Sequence, residues 1–442
     1  MKKYLVNALL ALGLIATVSC EEYLDEKPVK SILVPDTKED VRYILDNYTT
    51  LNDNPLLVFV LADDWVTTTP NWERLNPWVQ KAYLWEEEIF NPDERSTDYN
   101  RLHRKIFFAN VSLDILDKIG IKDDPEAESL RGEALLVRSA ALFYLAQLFL
   151  PYPDGDEEAG QLKIPVHWSS EVNVKPEWMT IAALLPKIEA DLTEAYSLIS
   201  QQSAFQNRPN KAVVKALLSR IYLYSGKYED ALDAASSALQ APGMLLDYSE
   251  YSPEKPYPFF LFNEESMYYG YSNSYLVTDG PASFINPELY SDYSDNDFRK
   301  ELFFTSGANG DPLFRGSYTG DFNLFTGISY SEVLLNATES AVRLGKVEEG
   351  MTLLETLAQN RYKDLELWRE SIGADLLGAV TRERRRELVF RGTRWGDMKR
   401  LVAIGEITLP IKREIHEESY ELASESQLTL QLPPYEASLE IN

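Results

Sequence analysis

Leu217-Leu218-Ser219-Arg220-Ile221-Tyr222-Leu223-Tyr224-Ser225-Gly226-Lys227-Tyr228-Glu229-Asp230-Ala231, running on to Ala238-Leu239, decides the fold of this 442-residue chain. Leu218, Tyr222, Gly226, Tyr228, Ala231 and Ala238 fall at tetratricopeptide spacing, where small residues let two antiparallel helices touch and a glycine closes the turn between them. A fainter copy runs from Ala337 through Ala341, Gly345-Lys346-Val347 and Gly350 to Leu354 and Leu357. Two copies predict helix-pair repeats. The competing reading is a pair of unrelated helical hairpins, since short glycine turns between antiparallel helices are common.

Helical spacing extends outward from the repeats. Thr37 precedes Lys38-Glu39-Asp40 as an N-cap, and Val41, Ile44, Leu45 and Tyr48 follow at the helical period. Asp98 to Ile119 repeats that period and stops at Gly120. Residues 134–150 are apolar nearly all round, with Arg138 and Gln147 the main exceptions, as in a helix surrounded by other helices. Two stretches break the pattern. Residues 243–330 hold 11 Tyr and 10 Phe with recurrent Pro and Gly, which predicts a packed but irregular insert. Residues 59–85 hold Trp65, Trp72, Trp78 and Trp85 among Thr-Pro and Asn-Pro breakers, and read as a second loop in which Trp85 is core.

The N-terminus gives an address. Two lysines, an apolar run from Leu5 to Val18 and small Ser19 precede Cys20, the chain's single cysteine. About 14 apolar residues form a secretory signal but are too few for a permanent membrane span. Cleavage before Cys20 leaves its thiol where bacterial lipoproteins receive acyl chains; a plain signal peptide is the alternative. Glu21, Glu22, Asp25 and Glu26 then form an acidic tether. The formal net charge of -27 repels phosphate backbones, which argues against nucleic-acid binding.

Catalytic and metal signatures are sparse. His103, His167 and His416 lie far apart, with no second histidine or cysteine at ligand spacing. Residues 292–297 resemble the start of a calcium loop but lack its glycine at the sixth position, and Phe303 stands where the twelfth-position Glu belongs. No nucleophile elbow or phosphate-binding glycine loop occurs. The chain is therefore expected to be no enzyme and to use no cofactor or metal. Residues 382–401 form a basic cluster whose acids supply local partners: Glu387 faces Glu383 and Arg391, and Asp397 meets Arg394 or Arg400. Structural ion pairing is the expected role.

Within that cluster Arg384, Glu387, Leu388, Gly392, Arg394 and Asp397 occupy the places of the C-terminal motif of the SusD/RagB family of surface nutrient-binding lipoproteins, which the chain resembles. The resemblance extends to Cys20 with Tyr23-Leu24-Asp25, to Ala109-Asn110, Arg131-Gly132-Glu133, Ile164-Pro165 and Asn210-Lys211, and to Tyr330-Ser331-Glu332 with Glu339. Arg391 departs from the usual Glu, and Leu401 from a frequent Trp.

The resemblance implies an all-α fold, a tetratricopeptide-like helical repeat scaffold with a loop-rich irregular insert. A signal peptide would span 1–19, an acylated Cys20 and acidic tether 20–36, and a single SusD-like domain 37–442. Within that domain the scaffold would be 37–242 and 331–442, and the ligand-facing insert 243–330. It further implies lipid anchoring at the outer membrane, facing outward, and delivery of oligosaccharide to a SusC-like TonB-dependent transporter. Sugars offer C–H faces to aromatic rings and hydroxyls to planar amides. The candidates are Trp65, Trp72, Trp78, Tyr271, Tyr275 and Phe284, with Asn273 and Asn286 for the hydroxyls; Trp72 and Trp78 lead, being set among polar residues and prolines. A peptide ligand, a structural envelope adaptor and a lipoprotein hydrolase are the other readings.

Overall fold

Thr37 opens the folded body with a reciprocal cap: its hydroxyl accepts from the Asp40 N–H, and the Asp40 carboxylate accepts from the Thr37 N–H. The computed structural model describes residues 35–153, 159–273, 284–307 and 310–441, so the expectations for Cys20, its tether and Tyr275 lie outside the described residues. Thr37–Asn442 forms one compact unit.

Within it, helices stack in chain order. Thr97–Ile119 packs on Pro125–Phe149, which packs on Ile181–Leu198; Lys211–Tyr224 and Tyr228–Ala238 follow, then Tyr330–Arg343 and Val347–Ala358. The last two pairs are the helical hairpins read from the repeat spacing. Gly226 and Gly345 close their turns at φ 71° and 76°, a region costly for residues with a Cβ. Gly350 shows why small residues are needed, because a Cβ there would collide with the Val342 side chain of the facing helix. The hairpins are also joined by polar contacts: Arg220 grips Glu332 at 2.6 and 2.7 Å, and Asn336 donates to Ser219 at 2.9 Å. Pro125–Phe149 is long and apolar enough to cross a membrane, but its most apolar window is 94% buried within the fold. It is the core helix that its all-round hydrophobicity predicts.

The insert is irregular as expected, with a finer grain than a loop. Ladders of two or three residues pair Ser266–Tyr268 with Ile328–Ser329, Tyr271–Ser272 with Leu324–Phe325, and Phe304–Ser306 with Pro312–Phe314. Strands this short show no alternation in sequence. Most of the ring excess fills the interior: Phe259 lies 5.0 Å from Tyr248, 6.0 Å from Phe303 and 5.1 Å from Tyr318, all measured between centroids.

Three expectations need correction. Residues 59–85 are not simply loop: Leu57–Val60, Thr69–Trp72 and Pro77–Tyr83 are helical turns. Pro70 and Pro77 stand in the first turn, where the missing N–H costs nothing, so the supposed breakers start helices. Nor is the C-terminal scaffold wholly helical, because Ile411–Ile415 and Glu418–Leu422 form an antiparallel hairpin. Finally, the basic motif is two helices, Leu376–Glu387 and Arg394–Ala403, separated by a corner in which Phe390 and Gly392 have φ 53° and 76°. Across that corner Glu387 takes its ion pairs from Arg299 and Arg361 rather than from Arg391, which acts on the carboxylate only as a nearby charge. Asp397 does meet Arg400, at 2.8 Å.

Candidate ligand-binding face

The motif residues hold together the two segments that carry the candidate rings. Arg394 clamps Asp63 with two bonds of 2.6 and 2.8 Å, and Arg385 reaches both Asp63 and Asp64, fixing the chain just before Trp65. On the insert side, Glu387 is fully buried and accepts from Arg299 at 2.8 Å and from Arg361 at 2.9 Å. Arg299 also grips Asp297 and Glu383, and Arg361 grips Glu265 while lying 3.7 Å above the Tyr248 ring. Arg384 bridges Asp397 and Asn336 at 2.8 and 2.7 Å. Gly392, in its left-handed turn, is packed against Phe59 and Thr326.

The electrostatics follow from burial and pairing. Burial alone would raise Glu383, but Arg299 and Arg386 outweigh it and hold the carboxyl down to about 2. Asp397 is likewise brought down to about 2 by Arg384 and Arg400 against its burial. Asp64 goes the other way: burial, reinforced by Asp63 beside it, pushes it up to about 6 despite Arg385.

Of the candidate rings, Trp65 is a correction. It is 1% exposed, its indole N–H donates to the Phe59 carbonyl at 2.9 Å, and its ring lies 4.7 Å from Tyr83. It belongs to the core because the strand it occupies, Trp65–Val66, pairs with Phe284–Ile285 and turns the indole inward. That pairing brings the two predicted segments together and sets half-buried Phe284 opposite Val66. Asn286 is a second correction: its amide donates to the Asp63 carbonyl at 3.0 Å, and its side-chain oxygen caps the following helix by accepting from the Glu288 N–H. Both polar ends are occupied by backbone.

Trp72 and Trp78 are half-buried and packed on the main core. The Trp72 indole donates to the Gln80 carbonyl at 3.2 Å, while the Gln80 amide returns a bond to the Trp72 carbonyl at 3.1 Å. Tyr271 is held elsewhere, bridged to Asp53, paired with Phe325 and stacked 5.9 Å from Tyr269. Asn273 follows it and is exposed.

Sequence reasoning missed His416. The C-terminal hairpin carries it to the Trp72 ring, edge-on at 5.7 Å, and its ring nitrogen lies 3.4 Å from Glu73. The His416 N–H donates to Thr69 at 2.9 Å. The available signal was the alternation across 411–422 around the His416-Glu417 turn, both of whose residues have positive φ. Also missed were Phe260, Leu261, Phe262 and Phe322, which are exposed in the insert. Trp72 thus presents a half-buried indole beside an imidazole and a carboxylate, a ring surface suited to a flat apolar face rimmed with hydroxyls, and Trp78 is a second half-buried indole on the following helix.

Two family models match, one described as starch-binding and associating with the outer membrane, over residues 22–223, and one described as the SusD family, over residues 265–430. The chain belongs to the SusD/RagB family. Solved structures share the fold. A SusD superfamily protein from Bacteroides thetaiotaomicron VPI-5482 is 21% identical, with 92% of this chain and 98% of that one covered at TM-score 0.70. Another from Bacteroides fragilis is 19% identical, with the same coverages at TM-score 0.72. A laminarin-binding SusD-like protein is 17% identical over 91% of this chain and 97% of its own, at TM-score 0.61. No curated protein matches this chain.

Proposed function

We propose that this protein binds a neutral oligosaccharide at the Trp72 face and passes it to a TonB-dependent, SusC-like transporter, while Cys20 tethers it by lipid to the outside of the outer membrane. The carrying observation is the half-buried Trp72 indole, clasped by Gln80 on a frame that two arginines fasten through Asp63 and Asp64, with half-buried Trp78 on the same short helix as Gln80. Family membership and a laminarin-binding relative of the same fold support a sugar as the ligand. A static frame favours binding because rings that are already positioned lose little freedom when a ligand arrives.

Native gels containing soluble starch or laminarin test the binding half: the protein is expected to be retarded in at least one, and the Trp72→Ala protein to run freely. Mild-detergent affinity purification from the native outer membrane tests the other half. A large TonB-dependent barrel is expected with the wild type and absent with Cys20→Ala; recovery of no barrel with the wild type would remove the transporter from the reading.

A further inference from the structure

A cavity of about 40 Å³ lies where three scaffold helices meet the insert. Thr97–Ile119 brings Lys105 to it, Pro125–Phe149 brings Tyr144 and Lys211–Tyr224 brings Arg220, while the insert closes it with Tyr268 and Thr326. None of its lining residues is exposed, and none is a candidate ring or a residue of the family motif.

Lys105 is 3% exposed, and its ammonium has one hydrogen bond among the described residues, to the Asn54 side-chain oxygen at 2.6 Å. An ammonium has three N–H donors, so two are unspent. Arg220 commits its Nε and Nη2 to Glu332 and the Gly327 carbonyl, which leaves Nη1 outside those bonds. The Thr326 hydroxyl accepts from the Asn54 amide at 2.8 Å and keeps its own O–H to donate. Among the described residues no carboxylate lines the cavity. Asp53 and Asp98, the acids that favour the Lys105 charge, are both paired with Arg101, and Glu332 is held by Arg220. Much of the remaining wall is apolar, with Leu136, Val137, Leu217 and Ile328. Two cations therefore border a small buried space that offers them no opposite charge, an arrangement that is costly unless one is supplied.

We propose that this cavity holds one monatomic anion, chloride, received by the Lys105 ammonium and the Arg220 guanidinium with hydroxyl donors from the wall, and that the ion helps fasten the insert to the scaffold. A space of about 40 Å³ takes one particle of about the size of water, which a chloride ion is and a sugar ring or a phosphate is not. Water there would meet the donors but bring no charge. Burial brings the Lys105 amine down to about 7, with Asp53 and Asp98 acting to raise it and Arg101 to lower it. Burial likewise raises the Tyr144 and Tyr268 hydroxyls above their ordinary value, so both stay neutral donors. A chloride ion restores the Lys105 charge, so its binding above that pH takes up a proton. This site is independent of the oligosaccharide reading.

Crystals of the mature protein soaked in sodium bromide, with diffraction recorded at the bromine absorption edge, test the site directly. An anomalous peak between Lys105 and Arg220 is expected; an ordered water there without anomalous signal would overturn the proposal. In solution, urea unfolding at fixed ionic strength, with chloride replacing gluconate, should give a midpoint that rises with chloride and levels off, half-saturated below about 0.1 M at pH about 7. Between pH about 8 and 9 the half-saturating chloride concentration should rise about tenfold, as Lys105 loses its proton in the free protein. Lys105→Met should remove the chloride dependence; because that change disturbs a buried site, the bromide experiment stands on the wild type alone. A midpoint indifferent to chloride at pH about 7, or a chloride dependence undiminished in Lys105→Met, would each overturn the proposal.

Discussion

Replacing Glu387 by leucine tests whether the family motif fastens the insert to the scaffold. The carboxylate is fully buried and receives charged hydrogen bonds from Arg299 and Arg361, both themselves fully buried. The Glu387→Leu protein keeps comparable bulk but removes the charge shared by two guanidiniums. Arg299 retains Asp297 and Glu383, and Arg361 retains Glu265, so neither is wholly orphaned. Removing one partner of a buried ionic group costs about 3–5 kcal/mol, and the surviving carboxylates keep the expected loss near the lower end, about 3 kcal/mol. That is a large share of a typical net stability of about 5–15 kcal/mol. Urea unfolding followed by tryptophan fluorescence reads it as a lower midpoint. Adding Arg361→Met to Glu387→Leu should deepen the loss rather than recover it, because it leaves the fully buried Glu265 carboxylate without the arginine it pairs with. A Glu387→Leu loss under about 1 kcal/mol, or a double variant as stable as the wild type, would refute the fastening role.

The other predictions follow the same logic. Glu383 and Asp397, held down to about 2, bind fewer protons folded than unfolded, so stability is fully present above the ordinary carboxylate range and falls as pH drops toward 2. Asp397→Asn should flatten that part of a stability-against-pH curve. Lys399, brought down to about 7 by burial, holds fewer protons folded than unfolded between there and its ordinary value of 10.5; stability should rise with pH across that window, and Lys399→Met should lose that component of the rise. Trp65→Ala, which empties a fully buried site, should cost about 3–5 kcal/mol in urea unfolding. Trp72→Ala, at a half-buried ring, should cost clearly less than Trp65→Ala in the same assay.

What the sequence made legible was periodic or local. The repeat at 217–239, its fainter copy and the Thr37 cap follow from spacing and from side chains that bond within a few residues. The basic motif disclosed its importance and one local pair, Asp397 with Arg400, but not its distant partners. Local spacing pointed Glu387 at Arg391, whereas the Phe390–Gly392 corner redirected it to Arg299 and Arg361, far away in the chain. Trp65 and Trp72 look alike in sequence. A two-residue ladder to Phe284–Ile285 buries the first, and only the second stays half-exposed. His416 escaped notice because the hairpin that delivers it pairs five residues with five, short enough to be overlooked beside long helices.

Titration calorimetry of the mature protein against a panel of neutral oligosaccharides that includes maltohexaose and laminarihexaose tests the central claim most directly. The account predicts saturable binding to at least one of them, abolished by Trp72→Ala while the variant's urea unfolding stays close to wild type. Absence of binding across the panel, or binding that survives Trp72→Ala and Trp78→Ala together, would contradict it.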